Sequence, residues 1–73
     1  MKTLDALKPG ERGCVADVAG DDAVAVRLME MGVVEGEEIE HLGTAPLGDP
    51  VEFLVRGYRL SLRLNEARRV QIR

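Results

Sequence analysis

Apolar residues recur with period two through Val51, Phe53 and Val55 and again through Tyr58, Leu60 and Leu62, and only Arg56 and Gly57 separate the two runs. A two-residue connection between alternating runs predicts a β-hairpin. With Arg56-Gly57 as the loop, Val55 lies opposite Tyr58, Phe53 opposite Leu60 and Val51 opposite Leu62. These pairs share one face, while Glu52, Leu54, Arg59, Ser61 and Arg63 share the other, so register and hydrophobic pattern agree without a slip. Glu52 then faces Ser61 with Arg59 and Arg63 on its diagonals, an arrangement worth about 0.2–1 kcal/mol.

The period changes upstream. Gly20-Asp21-Asp22 supplies a turn with an N-cap, and Ala23 to Met31 follows as a helix with Val24, Leu28 and Met31 at i, i+4 and i+7. Gly32 suits the left-handed position after the last turn, and Val33 can fold back on Leu28. Glu35-Gly36 makes the next reversal. A helix this short is marginal alone, because nucleation is costly, so packing has to pin it.

The remaining segments are shorter. Thr3 is placed to cap a turn that brings Leu4 and Leu7 to one side before Pro9-Gly10 reverses the chain. Gly13 to Ala19 reads as a first strand in which Val15 and Val18 differ in parity, which a bulge reconciles. Glu37 to Leu42 reads as a second strand, with Ile39 and His41 on one face and Glu38 and Glu40 on the other. Two glycines and two prolines make Gly43 to Pro50 a loop. Asn65-Glu66-Ala67 suits one helical turn before a closing strand, Val70 to Ile72. Five short strands with one short helix inserted between the first two predict a mainly β fold over residues 1–73 as one domain. A small closed barrel gives every alternating apolar face a shared interior.

Composition narrows the function. The core must come from Val, Leu and Ala, because the chain has one Phe, one Tyr and no Trp. Without aromatic platforms, base-stacking nucleic-acid binding and recognition of proline-rich peptides are disfavoured, and no nucleic-acid partner is expected. Cys14 is the only cysteine, which excludes an internal disulfide and zinc sites built on cysteine pairs. Asp5, Lys8 and Pro9 interrupt the N-terminus before any long apolar run. The expectation is therefore a cytoplasmic protein with no signal peptide that is not itself embedded in a membrane. One Cys and one His on different strands provide no nucleophile and base, so no catalytic residue, no enzyme activity and no cofactor is assigned. Cys14, His41 and the glutamates show no clustered ligand spacing, so no metal ligand is assigned either.

Charge is unevenly distributed. Residues 1–52 carry twelve acids and four bases, whereas residues 53–73 carry six arginines and one acid. Either the two parts face each other across the domain, or the arginines form a basic face for an acidic partner.

Taken in order, RLMEMG, VVEGEEIE and APLGDPVEFLVRGYRLSLRLNEARRVQI resemble the ferrous iron transport protein A (FeoA) family over essentially the whole chain. The markers are Arg27-Leu28 with Met31-Gly32, Gly36, the Pro46 to Pro50 loop, Gly57, Leu62-Arg63 and Glu66-Ala67. The resemblance implies an SH3-like barrel with a helix between its first two strands. It also implies a non-enzymatic role in ferrous iron uptake, through contact with a membrane ferrous-iron permease that carries a cytosolic GTPase domain. The alternative is a metal-sensing, iron-binding domain of the kind found at the end of metal-dependent repressors. With no room for a DNA-binding helix-turn-helix, the stand-alone form is favoured. His41 departs from the family pattern, which is usually apolar there.

Candidate partner-binding residues are Arg27, Met29 and Glu30 at the helix end and Pro46, Leu47, Gly48 and Asp49 in the loop. Arg27 can either meet an acidic partner or bridge to Glu30 or Glu35. Met29 lies off the apolar stripe and is expected to be exposed. Leu28, Met31, Gly32, Gly36 and Gly57 are assigned to folding. Self-association to a homo-oligomer is left open.

Overall fold

The computed structural model describes residues 2–73. Among these residues six antiparallel strands, two α-helices and one 3-10 turn follow one another. They are β1 (Lys2–Thr3), a 3-10 turn (Leu4–Ala6), β2 (Arg12–Val18), α1 (Ala23–Glu30), β3 (Glu38–Thr44), β4 (Val51–Val55), β5 (Tyr58–Leu62), α2 (Leu64–Ala67) and β6 (Val70–Ile72). The strands are ordered β1-β6-β2-β3-β4-β5. The expected barrel with a helix after its first long strand is present, with one strand more than the pattern predicts, but its sheet does not close fully: β1 and β5 are its two ends and are not paired with each other among the described residues. The addition is β1, which pairs Lys2 with Ile72 and Thr3 with Gln71. Two residues are too few to carry a readable period.

Strand β2 serves both halves of the barrel. Its first part pairs with β3, Gly13 opposite Ile39, and its second part pairs with β6, Val15 opposite Ile72 and Val18 opposite Val70. A register shift between Val15 and Asp17 separates the two parts. It buries Val15 and leaves Val18 packed against the core, so the parity conflict is resolved by the expected bulge. At the crossing, a Cβ on Gly13 would sit 2.9 Å from Ile72 Cδ1, so a larger residue there requires the end of the Ile72 side chain to move.

The hairpin has the predicted register throughout, Val55 opposite Tyr58, Phe53 opposite Leu60 and Val51 opposite Leu62. Arg56 and Gly57 have φ of 52° and 85°, the two positive values a type I′ turn requires. Tyr58 departs from its predicted inward place. It is about half exposed at the hairpin's end, where its hydroxyl donates to the Met31 carbonyl at the C-terminus of α1. The loop is also shorter than expected, since β3 continues to Thr44 and pairs Gly43 with Glu52 and Thr44 with Val51. A second register shift, between His41 and Gly43, lets the ladder continue past a residue that would otherwise end it. Thr3 does not cap backbone either; its hydroxyl bonds the Asp5 carboxylate.

One core collects every long element, with Leu4, Val15, Leu28, Ile39, Phe53 and Ile72 almost fully buried within it. Helix α1 enters this core through Ala25 and Leu28, with Val24 and Met31 only partly buried. The buried face is thus rotated from the predicted stripe, and burying Leu28 contributes about 1.5–3 kcal/mol.

Both ends of α1 are specified locally. Asp22 accepts the Ala25 N–H at 3.2 Å. At the other end, Gly32 N–H reaches Met29 O and Val33 N–H reaches Leu28 O, both at 3.0 Å, the paired bonds of a Schellman stop. Gly32 has φ +99°, and a Cβ there would lie 2.7 Å from the Tyr58 hydroxyl. Gly32→Ala is therefore expected to cost about 1–3 kcal/mol, read as a lowered urea midpoint with an unchanged slope.

Candidate functional site

The residues singled out at the end of α1 divide into anchored and free. Arg27 is anchored: its guanidinium pairs with the Glu66 carboxylate of α2. Glu66 is almost buried, and its other oxygen accepts the Arg63 N–H at 2.9 Å. One carboxylate therefore fastens α1, the start of α2 and the end of β5 together. The partners expected for Arg27 are otherwise disposed. Glu35 pairs with Arg73 at 3.3 Å, and Glu30 is exposed with no ion pair among the described residues. Sequence spacing missed Glu66 because the contact is made between elements distant along the chain.

Met29 lies on the outer side of α1 and is 43% exposed, with Val26, one turn earlier, 45% exposed. Leu28 is buried and Met31 packs partly against the core. The loop divides in the same way. Leu47 stands at its tip, 97% exposed, beside exposed Pro46, with Gly48 donating back to the Ala45 carbonyl at 2.7 Å. Asp49 is turned inward as a cap and accepts the Leu64 N–H at the start of α2 at 3.0 Å. Gly36 and Gly57 hold positive φ in their turns, and Gly36 N–H bonds the Val15 carbonyl at 2.8 Å.

An open cleft joins the two regions. It is lined by Arg27 of α1 and Met31 at its C-cap, by Ser61 of β5 and Arg63 just beyond it, and by Pro50 and Glu66. The helix end and the last residue of the loop thus border one depression.

The uneven charge is largely consumed by pairing across the fold. Arg56 meets Glu37 at 3.4 Å, Arg68 meets Asp5 at 3.6 Å, and Arg59 reaches Glu52 at 4.0 Å. Arg69 bonds Asp22, the cap of α1. Arg63, by contrast, has no carboxylate within pairing distance among the described residues, although its side chain is exposed and lines the cleft. Exposed pairs of this kind contribute little individually. The Asp22 carboxyl is held below its ordinary range by the Arg69 hydrogen bond and then by the Ala25 N–H.

His41 faces the interior from β3, its ring edge-on to Phe53 at 5.5 Å. It is buried, and its Nδ1 lacks a hydrogen-bond partner. Cys14 is partly buried on β2. No group of three or more His, Cys, Asp or Glu side chains suited to a metal ion occurs among the described residues, and no helix there is long and apolar enough to cross a membrane.

The sequence pattern of the FeoA domain matches residues 2–73. A Porphyromonas gingivalis protein described as an Fe(2+) transport protein A/Fe(2+) transporter FeoB fusion is 33% identical over 69 residues, which is 94% of this chain. The chain spans only 8% of that fusion protein's length. The solution structure of FeoA from Chlorobium tepidum superposes with a TM-score of 0.88 at 43% identity, over 96% of this chain and 67% of that one. The zinc-complexed crystal structure of Stenotrophomonas maltophilia FeoA, described as an SH3 domain protein, superposes with a TM-score of 0.88 at 35% identity, over 100% of this chain and 91% of that one.

Two outcomes test the joints around the cleft. Arg27→Met leaves the Glu66 carboxylate without its cation and is expected to cost about 1–3 kcal/mol in urea unfolding, less than a fully buried pair because Arg27 is half exposed. Adding Glu66→Gln, which removes the stranded charge, should recover part of that loss. The Asp22 interaction has the opposite pH signature to a histidine pair. A carboxyl whose folded value is depressed stabilises the fold above its unfolded value, and that stability disappears as pH falls through the lower folded value. Wild type should therefore lose melting temperature more steeply than Asp22→Asn as pH drops below the ordinary value of 3.8, with the two curves converging at the acid end.

Proposed function

The chain belongs to the FeoA domain family, and from that premise we propose that it is a non-enzymatic cytosolic accessory protein for ferrous iron uptake, acting by contact with a FeoB-type membrane transporter. The observation that carries this reading is the Porphyromonas gingivalis fusion, in which a segment similar to this chain is covalently joined to a FeoB transporter. Two modules made as one polypeptide are held at high effective concentration, an arrangement that suits partners whose separate forms meet in a complex. Ferrous iron is the transporter's cargo in this reading, and the chain's own residues serve the protein contact.

The contact face comprises the outer end of α1, with Met29 and Glu30, and the Pro46–Gly48 tip carrying Leu47. Met29 and Leu47 offer apolar surface that folding leaves exposed, and a flexible thioether adapts to a partner's contour at small cost. Leu28, Met31, Gly32, Arg27 and Asp49 support that face from behind through the core, the helix stop, the Glu66 pair and the α2 cap.

The test is binding, by calorimetry, between this chain and the cytosolic portion of the FeoB transporter from the same organism. Wild type should bind, and Met29→Asp with Leu47→Asp should weaken binding about tenfold or more, equivalent to about 1.4 kcal/mol, without lowering the melting temperature. Absence of binding to any cytosolic part of the transporter would refute the function, and equal affinity in the variant would refute the face.

A further inference from the structure

The sheet has two ends, and they are unlike. At one end β1 contributes only two residues, while at the other β5 runs for five and, among the described residues, pairs on one side alone, with β4. The two-residue turn fixes which of its backbone groups are used. Val55 and Tyr58 flank the turn as a hydrogen-bonded pair, so Phe53 with Leu60 and Val51 with Leu62 repeat that pairing. The N–H and C=O groups of Arg59 and Ser61 must then point away from β4. They form an unpaired ladder edge.

Ser61 and Arg63 line the cleft together with Arg27, Met31, Pro50 and Glu66, and the Glu66 carboxylate there is already matched to Arg27. On the hairpin's outer face Arg59, Ser61 and Arg63 occupy alternate positions; Glu52 of β4 accepts from the Ser61 hydroxyl at 3.2 Å and lies 4.0 Å from Arg59, whereas Arg63 has no carboxylate partner among the described residues. On the inner face lie the buried Leu60 and Leu62. Tyr58 ties the end of α1 beside the strand through the Met31 carbonyl.

We propose that the open edge of β5 receives an extended acidic segment of the protein partner as an added strand, laid along the cleft between β5 and α1. Strand addition draws affinity from main-chain hydrogen bonds and specificity from alternate side chains. The added strand's outward side chains lie beside Arg59, Ser61 and Arg63, where Asp or Glu forms cross-strand pairs. Its inward side chains lie toward Leu60, Leu62 and Met31 and are apolar. A second copy of this chain is the wrong occupant, because β5 against β5 sets the arginines of both copies side by side, and like charges on adjacent strands repel. The same arginines thus guard the edge against self-pairing and select an acidic strand. The proposal deepens the partner-contact reading above by naming the kind of segment recognised.

The experiment uses the intact chain, isotope-labelled for amide NMR, and two end-blocked pentapeptides, one alternating valine with glutamate and the other valine with lysine. The glutamate peptide should shift the amides of Arg59, Ser61 and Arg63 and slow hydrogen exchange at Arg59 and Ser61, an effect that weakens with added salt. The lysine peptide should do neither. Absence of these changes, or equal changes with both peptides, overturns the proposal. The cytosolic portion of the FeoB transporter is titrated in parallel against wild type, Ser61→Pro and Arg63→Glu. Ser61→Pro removes an edge donor that takes no part in the ladder, a change tolerated on edge strands, and should weaken binding about three- to tenfold. Arg63→Glu, which leaves the backbone untouched, should weaken it as well. Unchanged affinity in both variants overturns the edge while leaving the partner reading intact. Protection by the glutamate peptide with no binding of the transporter portion upholds the edge and defeats the partner reading.

Discussion

An eight-residue helix cannot hold itself, and the rest of this fold is arranged around that constraint. Helix α1 is secured at four places by four different kinds of interaction. Asp22 closes its first turn and is itself bonded by Arg69, next to β6. Ala25 and Leu28 bury one face in the barrel. Gly32 and Val33 close the last turn, with the Tyr58 hydroxyl on the Met31 carbonyl. Arg27 reaches the Glu66 carboxylate, which also accepts from the Arg63 backbone. Nucleation cost is met by tertiary contacts, so the position of α1 is coupled to β5, α2 and β6 together.

That coupling decides which residues remain for recognition. Arg27 and Asp49, attractive as exposed polar candidates, are occupied in joining α1 to α2 and in capping α2. Most of the C-terminal arginines are matched to carboxylates from the first part of the chain, so the basic segment does not amount to a free basic face. After this subtraction the accessible features are few: the outer side of α1 at Met29, the Leu47 tip, and the cleft with Arg63 beside the open β5 edge.

His41 stands apart from this economy. An interior histidine on β3 leaves Nδ1 unsatisfied where a branched aliphatic side chain would leave nothing, and unsatisfied buried polar atoms are costly. Its edge-on contact with Phe53 offsets part of that cost.

Local signals were legible in the sequence wherever a period or a turn chemistry was strong. The β4–β5 register followed from alternation around Arg56-Gly57, the α1 boundaries from Asp22 and Gly32, and the bend in β2 from the parity of Val15 and Val18. Family membership was legible too, because markers spread along the chain preserve their order. Tertiary structure alone decided the β1 pairing, the continuation of β3 through Gly43 and Thr44, the rotation of α1 onto Ala25, and the joining of Arg27 to Glu66 and of Asp49 to Leu64. The physical reason is common to these cases. Period and turn preference act over a few residues, whereas an ion pair or a cap between distant segments depends on where the barrel brings them. The open β5 edge belongs to both levels: alternation set which of its groups point outward, and the strand order left no described strand beside them.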